Sequence, residues 1–324
     1  MVDNFGRKIE YMRVSITDRC DLRCRYCMPD GCEKVPMSHI LTYEEIVRIC
    51  RAAAELGISR IKVTGGEPFV RLGCTGLVRS LKALDGIDEV TVTTNGQQLA
   101  NYIDELKDIG IDGINISLDT LDPERFAYIT GRGDLSRTLR SLELSAASGI
   151  KTKVNAVPQR GVNDDEIVSL AELAFRYGID VRFIEIMPVG AAHPEAGIPN
   201  PEILELLKEK WPGLEPDASI HGNGPAVYYK LPGQTGGIGL ISAMHGKFCE
   251  YCNRVRLTSQ GQLKPCLSYE SGTDLVPFLK GKDDKLREAL REAILKKPEA
   301  HCFDNMDPAG DAHAEHRLMS QIGG

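Results

Sequence analysis

Six short runs rich in β-branched residues alternate with longer amphipathic patterns over the first 190 residues, and this alternation constrains the fold most. The candidate strands lie at 13–17, 60–64, 89–94, 113–118, 152–157 and 181–186. Strand, helix, strand in this rhythm implies parallel pairing through right-handed crossovers. The sequence therefore predicts an α/β fold built on a partial (β/α)6 TIM-type barrel, about three quarters of an eight-stranded barrel.

Helix starts are marked by capping residues. Two pairs have the spacing of a capping box: Thr42 with Glu45, before a helix at 43–56, and Asn163 with Glu166, before a helix at 164–177. Asp122-Pro123 predicts a third start, since proline is favoured at the first helical position.

Residues after about 190 follow a different pattern, with Pro- and Gly-rich stretches and one clear amphipathic helix at 283–297. We expect a barrel domain at 1–190 and a smaller C-terminal α+β domain at 191–324 that packs over the open side of the barrel. Because sites in such barrels lie at the carboxyl ends of strands, the loops after the strands are the places to look for function.

The loop after the first strand carries Cys20, Cys24 and Cys27 in the order Cys-x3-Cys-x2-Cys. Thiolates bind soft metals, and three of them around a [4Fe–4S] cube leave one iron open for a further ligand. A zinc knuckle is the alternative, but structural zinc normally has four protein ligands. The spacing therefore favours an iron–sulfur cluster with an open iron.

A second triplet, Cys249, Cys252 and Cys266, lies near the other end of the chain. Taken alone, it could form a structural zinc site with His245. A zinc deaminase would need an upstream His-x-Glu, which neither His221 nor His245 begins. Beside the first triplet, a second [4Fe–4S] cluster with its own open iron is the better interpretation. The C-terminal domain would carry it.

The remaining four of the ten cysteines are Cys32, Cys50, Cys74 and Cys302. Cys50 lies on the apolar face of the first helix and is expected to be a core thiol. No chemistry is assigned to the other three.

Composition excludes several classes of protein. The chain has 39 basic and 46 acidic residues, a net charge of −7, which argues against a general nucleic-acid binder. Its N-terminus lacks the basic and apolar pattern of a signal peptide, and no run approaches the length of a membrane span. We expect a cytoplasmic protein without a membrane or nucleic-acid partner.

Basic residues near the predicted site favour a polyanionic substrate. Arg13, Lys62 and Lys153 lie in predicted strands, and Arg254 and Arg256 share one face of a period-two segment. Five cations that converge on one cavity in an acidic protein would suit a triphosphate.

The first triplet with Tyr26 between its last two cysteines, followed by Gly65-Gly66-Glu67-Pro68, resembles the radical S-adenosylmethionine superfamily. There the cosubstrate chelates the open iron and is cleaved to a 5′-deoxyadenosyl radical. The resemblance implies contacts to cluster or cosubstrate from Tyr26, Gly66, Ser117 and Met187.

Further segments resemble the GTP 3′,8-cyclase family of that superfamily: 13–20 (RVSITDRC), 93–96 (TTNG), 252–257 (CNRVRL) and 319–324 (MSQIGG). In that family the open iron of the second cluster binds the guanine base. The positions that match its GTP contacts are Arg13, Lys62, Thr93, Lys153, Arg254 and Arg256. The resemblance also implies that both arginines take part in catalysis and that Gly323-Gly324 reaches the active site and assists turnover.

The resemblance implies that hydrogen is taken from ribose C3′ of GTP and that C3′ then bonds to guanine C8, the first step of molybdenum cofactor biosynthesis. It also implies a homodimer, a flavodoxin- or ferredoxin-type electron donor, and transfer of product to cyclic pyranopterin monophosphate synthase. Two alternatives stay open: a peptide-modifying maturase, which usually has more late cysteines, and a non-enzymatic iron or zinc protein.

Overall fold

The computed structural model describes residues 1–31, 35–246, 248–303 and 314–323, so Cys32 and Gly324 lie outside the described residues. The predicted α/β class is confirmed, because six strands pair in parallel and in chain order. These strands are β1 (Tyr11–Ser15), β2 (Arg60–Thr64), β3 (Glu89–Thr94), β4 (Gly113–Ser117), β5 (Thr152–Ala156) and β6 (Asp180–Ile184). β1 begins and ends two residues earlier than predicted, which places Thr17 in the loop.

Helices follow the strands as the alternation predicts. They are α1 (Tyr43–Glu55), α2 (Cys74–Lys82), α3 (Ile103–Ile109), α4 (Pro123–Thr130), α5 (Leu135–Ala147), α6 (Ile167–Tyr177), α7 (Asn200–Lys210), α8 (Asp283–Leu295) and α9 (Met319–Ile322). Short 3-10 turns lie at Met37–His39, Pro68–Val70, Leu99–Asn101, Asp164–Glu166, Pro194–Ala196, Cys249–Tyr251 and Val276–Lys280. Within the described ranges, none of the helices combines the length and apolar character that crossing a bilayer requires.

The C-terminal strands extend the sheet at both edges. They are β7 (Glu215–Asp217), β8 (Val227–Lys230), β9 (Gly237–Ile241), β10 (Arg254–Leu257), β11 (Gln262–Lys264) and β12 (Thr273–Asp274). β9 pairs in parallel with β6, and β10 pairs in parallel with β1. The sheet therefore has twelve strands in the order β12-β11-β10-β1-β2-β3-β4-β5-β6-β9-β8-β7. A division of the chain near residue 190 stays a prediction, since both sides contribute to this sheet.

The capping predictions have mixed outcomes. At α1, Thr42 Oγ1 accepts from the Glu45 N–H (3.2 Å) and the Glu45 carboxylate accepts from the Thr42 N–H (2.8 Å), which confirms the capping box. Pro123 opens α4 as predicted. The capping box predicted at Asn163 is wrong. The side-chain amide of Asn163 donates to Asp119 O (2.7 Å), and α6 begins only after a 3-10 turn. This hydrogen bond from Asn163 links the loop after β5 to the loop after β4.

One hydrophobic core runs through the whole sheet and includes side chains from both ends of the chain. Leu207 on α7 is fully buried in this core, whereas its neighbour Leu206 is 38 % exposed. α7 packs against α6, so the C-terminal region shares its apolar contacts with the barrel helices. A smaller cluster, formed by Val189, Phe303 and Ile322, lies apart from the main core.

Leu207→Ala should destabilise the whole chain by about 2–5 kcal/mol, because it opens a cavity in the shared core. Leu206→Ala is the matched control and should cost less than about 1 kcal/mol, since it removes a partly exposed side chain. Urea unfolding followed by circular dichroism measures both. If residues beyond 190 formed an independent unit, Leu207→Ala would instead split the transition into two.

Candidate active site

The loop after β1 presents three thiols, those of Cys20, Cys24 and Cys27, to one space that we call the first cavity. The main chain turns tightly here, since Cys24 O accepts from the N–H groups of Cys27 (2.9 Å) and Met28 (2.8 Å). Burial raises the pKa of Cys20 to about 12, so a thiolate there needs a nearby cation such as iron. These soft donors on one cavity wall therefore fit the predicted cluster.

The loop after β2 packs directly against the cysteine loop. A Cβ at Gly65 would lie 2.6 Å from the carbonyl oxygen of Thr17, and a Cβ at Gly66 would clash with the carbonyl of Arg19. The Gly66 N–H donates to Thr17 O (2.7 Å). These glycines therefore let two protein loops approach each other, and Gly66 still lines the first cavity.

Glu67 supports this junction from the interior. It is fully buried, and its carboxylate accepts from Thr94 Oγ1 (2.8 Å), from the Asn95 N–H (2.7 Å) and from the Phe69 N–H (3.1 Å). Burial raises the pKa of Glu67 to about 8. The side-chain amide of Asn95 lies 3.7 Å from Cys20 Sγ, so Glu67 fixes the end of β3 beside the thiols.

The four residues predicted to contact cluster or cosubstrate all line the first cavity: Tyr26, Gly66, Ser117 and Met187. The sequence analysis missed Asp119, which accepts a hydrogen bond from the Tyr26 hydroxyl (2.8 Å) and lines the same cavity. Burial raises the pKa of Asp119 to about 6. Its position just after β4 is the signal that could have found it, since carboxyl ends of parallel strands form such sites.

The second triplet also converges on one space, the second cavity, whose three thiols belong to Cys249, Cys252 and Cys266. The sequence analysis missed Lys297, which is buried in the wall of this cavity. Its ammonium donates to the carbonyls of Arg254 (2.8 Å) and Pro265 (2.7 Å). Burial alone would raise the pKa of Cys252, but Lys297 and Arg254 hold that pKa below its ordinary value. A thiolate, the form that binds metal, is therefore favoured at Cys252.

His245 does not join the second triplet. Its Nδ1 lies 3.2 Å from a carboxylate oxygen of Glu185, and the histidine that lines the second cavity is His301. Among residues 1–31, 35–246, 248–303 and 314–323, no three His, Cys, Asp or Glu side chains are grouped as ligands of a single metal ion. The zinc alternative built on His245 therefore finds no support in this part of the chain.

A third cavity collects the predicted cations. Its lining includes Arg13, Lys62, Thr93, Lys153 and Arg254, five of the six positions predicted to contact GTP. The sixth, Arg256, lines the first and second cavities instead.

The sequence analysis missed Arg182, a further cation of the third cavity. Its guanidinium is held by two neutral amides, Asn155 Oδ1 (2.9 Å) and Asn115 Oδ1 (2.6 Å). A basic residue inside an otherwise apolar strand is the signal that could have identified it, as it identified Lys153.

Strand register explains why these cations meet. Arg13 pairs with Lys62 on one side and with Arg256 on the other. Burial lowers the pKa of Lys62, and Arg182 and Arg13 lower it further by repulsion. Burial likewise lowers the pKa of Arg256 to about 9. Because each charge disfavours the next, an anion that bridges them would be bound favourably.

The side chain of Lys153 is held by Asp180 at the start of β6 and by Tyr228 of β8. Its ammonium lies 2.6 Å from a carboxylate oxygen of Asp180 and 3.0 Å from the Tyr228 hydroxyl. Asp180 also contacts His221 Nδ1 (2.8 Å), and His221 stacks on Tyr228 with ring centroids 3.9 Å apart. This cluster fixes the segment 222–225, which covers the third cavity.

Arg13 lies where the three cavities meet, since it lines the first, the second and the third. Arg256 lies beside it, and its guanidinium donates to Gly323 O at 2.5 Å. The structure therefore brings Gly323 to the centre of the site, while the other predicted tail residue, Gly324, lies outside the described residues. The arrangement is one continuous site with thiols at two places and cations between them.

Two family models match the chain. Residues 14–174 match the Radical SAM superfamily, and residues 179–303 match Molybdenum Cofactor Synthesis C. The two models meet between α6 and β6.

Curated relatives match over the full length of both chains. The chain is 40 % identical over 327 residues to a GTP 3′,8-cyclase of Clostridium perfringens. It is 43 % identical over 330 residues to that of Alkaliphilus oremlandii and 43 % identical over 334 residues to that of Syntrophomonas wolfei.

Solved structures share the fold. Streptococcus suis SuiB superposes with a TM-score of 0.64 at 17 % identity, covering 92 % of this chain and 74 % of SuiB. The native anSMEcpe structure, with bound AdoMet, gives a TM-score of 0.53 at 14 % identity, covering 90 % of this chain and 82 % of that one. At such identities the likeness concerns architecture alone.

Inorganic tripolyphosphate should bind in the third cavity, and Lys153→Met should weaken binding roughly tenfold by removing a charged hydrogen bond. Burial lowers the pKa of Lys153 to about 8. Only the protonated ammonium binds the anion, so wild-type affinity should fall as pH rises through 8, and the variant should lack this step.

Isothermal titration calorimetry between pH 7 and 9 measures these affinities. Lys107→Met, at an exposed lysine of α3 outside the three cavities, is the matched control and should behave like the wild type. An identical pH profile for wild type and Lys153→Met would contradict the assignment.

Proposed function

Because this chain belongs to the GTP 3′,8-cyclase family, we propose that it converts GTP into (8S)-3′,8-cyclo-7,8-dihydroguanosine 5′-triphosphate, the first step of molybdenum cofactor biosynthesis. The observation that carries this proposal is the position of Arg13, which lines all three cavities. A substrate with a triphosphate at one end and a base at the other can extend from the third cavity to the second. Its ribose then lies next to the first cavity.

The first cavity suits a [4Fe–4S] cluster and S-adenosylmethionine. Cys20, Cys24 and Cys27 would hold the cluster. Tyr26, Gly66, Ser117 and Met187 would contact the cluster or cosubstrate. When bound, the pair supplies the radical that removes hydrogen from C3′ of GTP.

The protein's own contribution is to bind and orient GTP. Arg13, Lys62, Lys153 and Arg182 surround the space proposed for the triphosphate, with Thr93 as a neutral contact. Arginine forks and lysine point charges both suit phosphate oxygens. This fixes the nucleotide at its charged end, so the ribose and base have little freedom left.

Arg254 and Arg256 would contact the part of GTP that reacts, where the ribose meets the guanine base. Arg254 lines the second and third cavities, whereas Arg256 lines the first and second. Both positions adjoin the proposed location of the base, where C8 must approach C3′. The carbonyl of Gly323 orients Arg256, which supports the predicted role of the tail in turnover.

A second [4Fe–4S] cluster on Cys249, Cys252 and Cys266 is part of the proposal. What supports it is the convergence of three thiols on a cavity whose buried lysine favours the thiolate form of Cys252. Its open iron would fix the guanine base.

Cys252→Ala should reduce the iron content of the reconstituted protein from about eight to about four atoms per chain, because one of two four-iron clusters is lost. The matched control is Cys50→Ala, which removes a fully buried core thiol of α1 and should retain all the iron. Colorimetric iron analysis with Mössbauer spectroscopy measures both. Full iron loading of Cys252→Ala would remove this residue from the set of ligands.

The proposed reaction is tested by anaerobic reconstitution, then incubation with dithionite, S-adenosylmethionine and GTP. Mass spectrometry should detect 5′-deoxyadenosine and a nucleotide isomeric with GTP. Replacing any of the six cluster cysteines by alanine should abolish the isomer. If 5′-deoxyadenosine accumulates while GTP is untouched, the substrate assignment fails.

The wider context follows from the family alone. We propose a flavodoxin- or ferredoxin-type electron donor, hand-over of product to cyclic pyranopterin monophosphate synthase, assembly as a homodimer, and a cytoplasmic location. A peptide-modifying maturase is the less supported alternative, since the full-length relatives at 40–43 % identity are GTP 3′,8-cyclases.

A further inference from the structure

The described end of the chain, residues 314–323, crosses the carboxyl-end face of the sheet as a segment that we call the strap. It is anchored by Glu315, which is fully buried in an ion pair with Lys264 of β11. Arg317 reinforces this anchor through Glu315 (2.7 Å) and Gln262. The start of the strap is therefore fixed to the C-terminal strands.

The other end of the strap is fixed at β1 and β2. Gly323 has a φ of 83° and accepts a hydrogen bond from Arg256. A Cβ at Gly323 would lie 3.0 Å from Ser15 Cβ and 3.4 Å from Thr64 Cγ2, so only glycine fits without a shift. Between its two anchors, the strap must pass over the first cavity.

Two strap residues line the first cavity, Met319 and Ser320. Met319 packs in the small apolar cluster that also contacts Met187, a residue predicted to bind the cosubstrate. Ser320 is only 1 % exposed, and its hydroxyl has no hydrogen-bond partner within the described part of the protein. A buried hydroxyl in a cavity wall is stabilised when a ligand supplies the missing partner.

We propose that the strap is one wall of the S-adenosylmethionine site and that Ser320 Oγ hydrogen-bonds an oxygen of the bound cosubstrate. This rests on the proposed function only for the identity of the cosubstrate. Because the same strap is held by Arg256 at Gly323, cosubstrate binding and docking of the tail stabilise each other. By linkage, each must strengthen the other by the same factor.

The first test is the affinity for S-adenosylmethionine, measured by equilibrium dialysis on the full-length, reconstituted protein without reductant, so that no turnover occurs. Ser320→Ala should weaken binding roughly three- to tenfold, the usual effect of losing one hydrogen bond. Ser80→Ala removes an exposed serine hydroxyl on α2 and should leave the affinity unchanged. Equal affinities for Ser320→Ala and wild type would overturn the contact.

The second test measures how accessible the strap is to protease. Trypsin cleavage after Arg317 releases residues 318–324, a seven-residue peptide that mass spectrometry can follow over time. Saturating S-adenosylmethionine should slow this release at least threefold in the wild type and less in Ser320→Ala. Release that is independent of the cosubstrate in the wild type would overturn the coupling.

The two tests separate this proposal from the proposed function. If the wild type binds S-adenosylmethionine and protects its strap but leaves GTP unchanged, the reaction assignment fails and the strap proposal stands. If the wild type cyclises GTP but Ser320→Ala shows unaltered affinity and protection, the strap proposal fails and the reaction assignment stands.

Discussion

The site depends on the in-register pairing of β1 with two parallel neighbours. This pairing places Arg13 between Lys62 and Arg256, so three cations lie side by side in the interior of the sheet. Burial and mutual repulsion both oppose this arrangement, as the lowered pKa of Lys62 shows. The hydrophobic core that includes the strand side chains must therefore hold the strands in register. An anionic ligand at this position would relieve the repulsion.

The parallel direction of β1 and β10 also separates the two sets of thiols. The first triplet follows the carboxyl end of β1, whereas Cys249 and Cys252 precede the amino end of β10. A strand of five residues spans roughly 16 Å, so the cations lie between two thiol groups at opposite ends of paired strands. A nucleotide with its reacting sugar in the middle matches this arrangement.

The six parallel strands and the two cysteine loops could be predicted from the sequence. The period of the apolar residues and the spacing of the cysteines are both properties of short, continuous segments. The sequence could not predict that β9 and β10 extend the sheet at both edges, since that depends on pairing between distant segments. Lys297 was missed because a lysine at the end of a predicted helix looks the same in sequence whether it faces solvent or a cavity. Arg182 differs, since a charge inside a predicted apolar strand could have identified it. The capping box predicted at Asn163 was wrong because its side-chain amide donates instead to Asp119 O in the loop after β4 and to Val157 O in its own loop.

Three buried cations of the site are bound by neutral acceptors, whereas Lys153 pairs with the carboxylate of Asp180. Arg182 is bound by the amides of Asn115 and Asn155, Lys297 by two main-chain carbonyls, and Arg256 by the carbonyl of Gly323. Such hydrogen bonds orient the side chain and stabilise it without neutralising its charge. A carboxylate at each of these positions would neutralise the charge that an anionic ligand would meet. At these three positions the neutral partners leave the positive charge uncompensated, and the carbonyl of Gly323 in the tail is one of these partners.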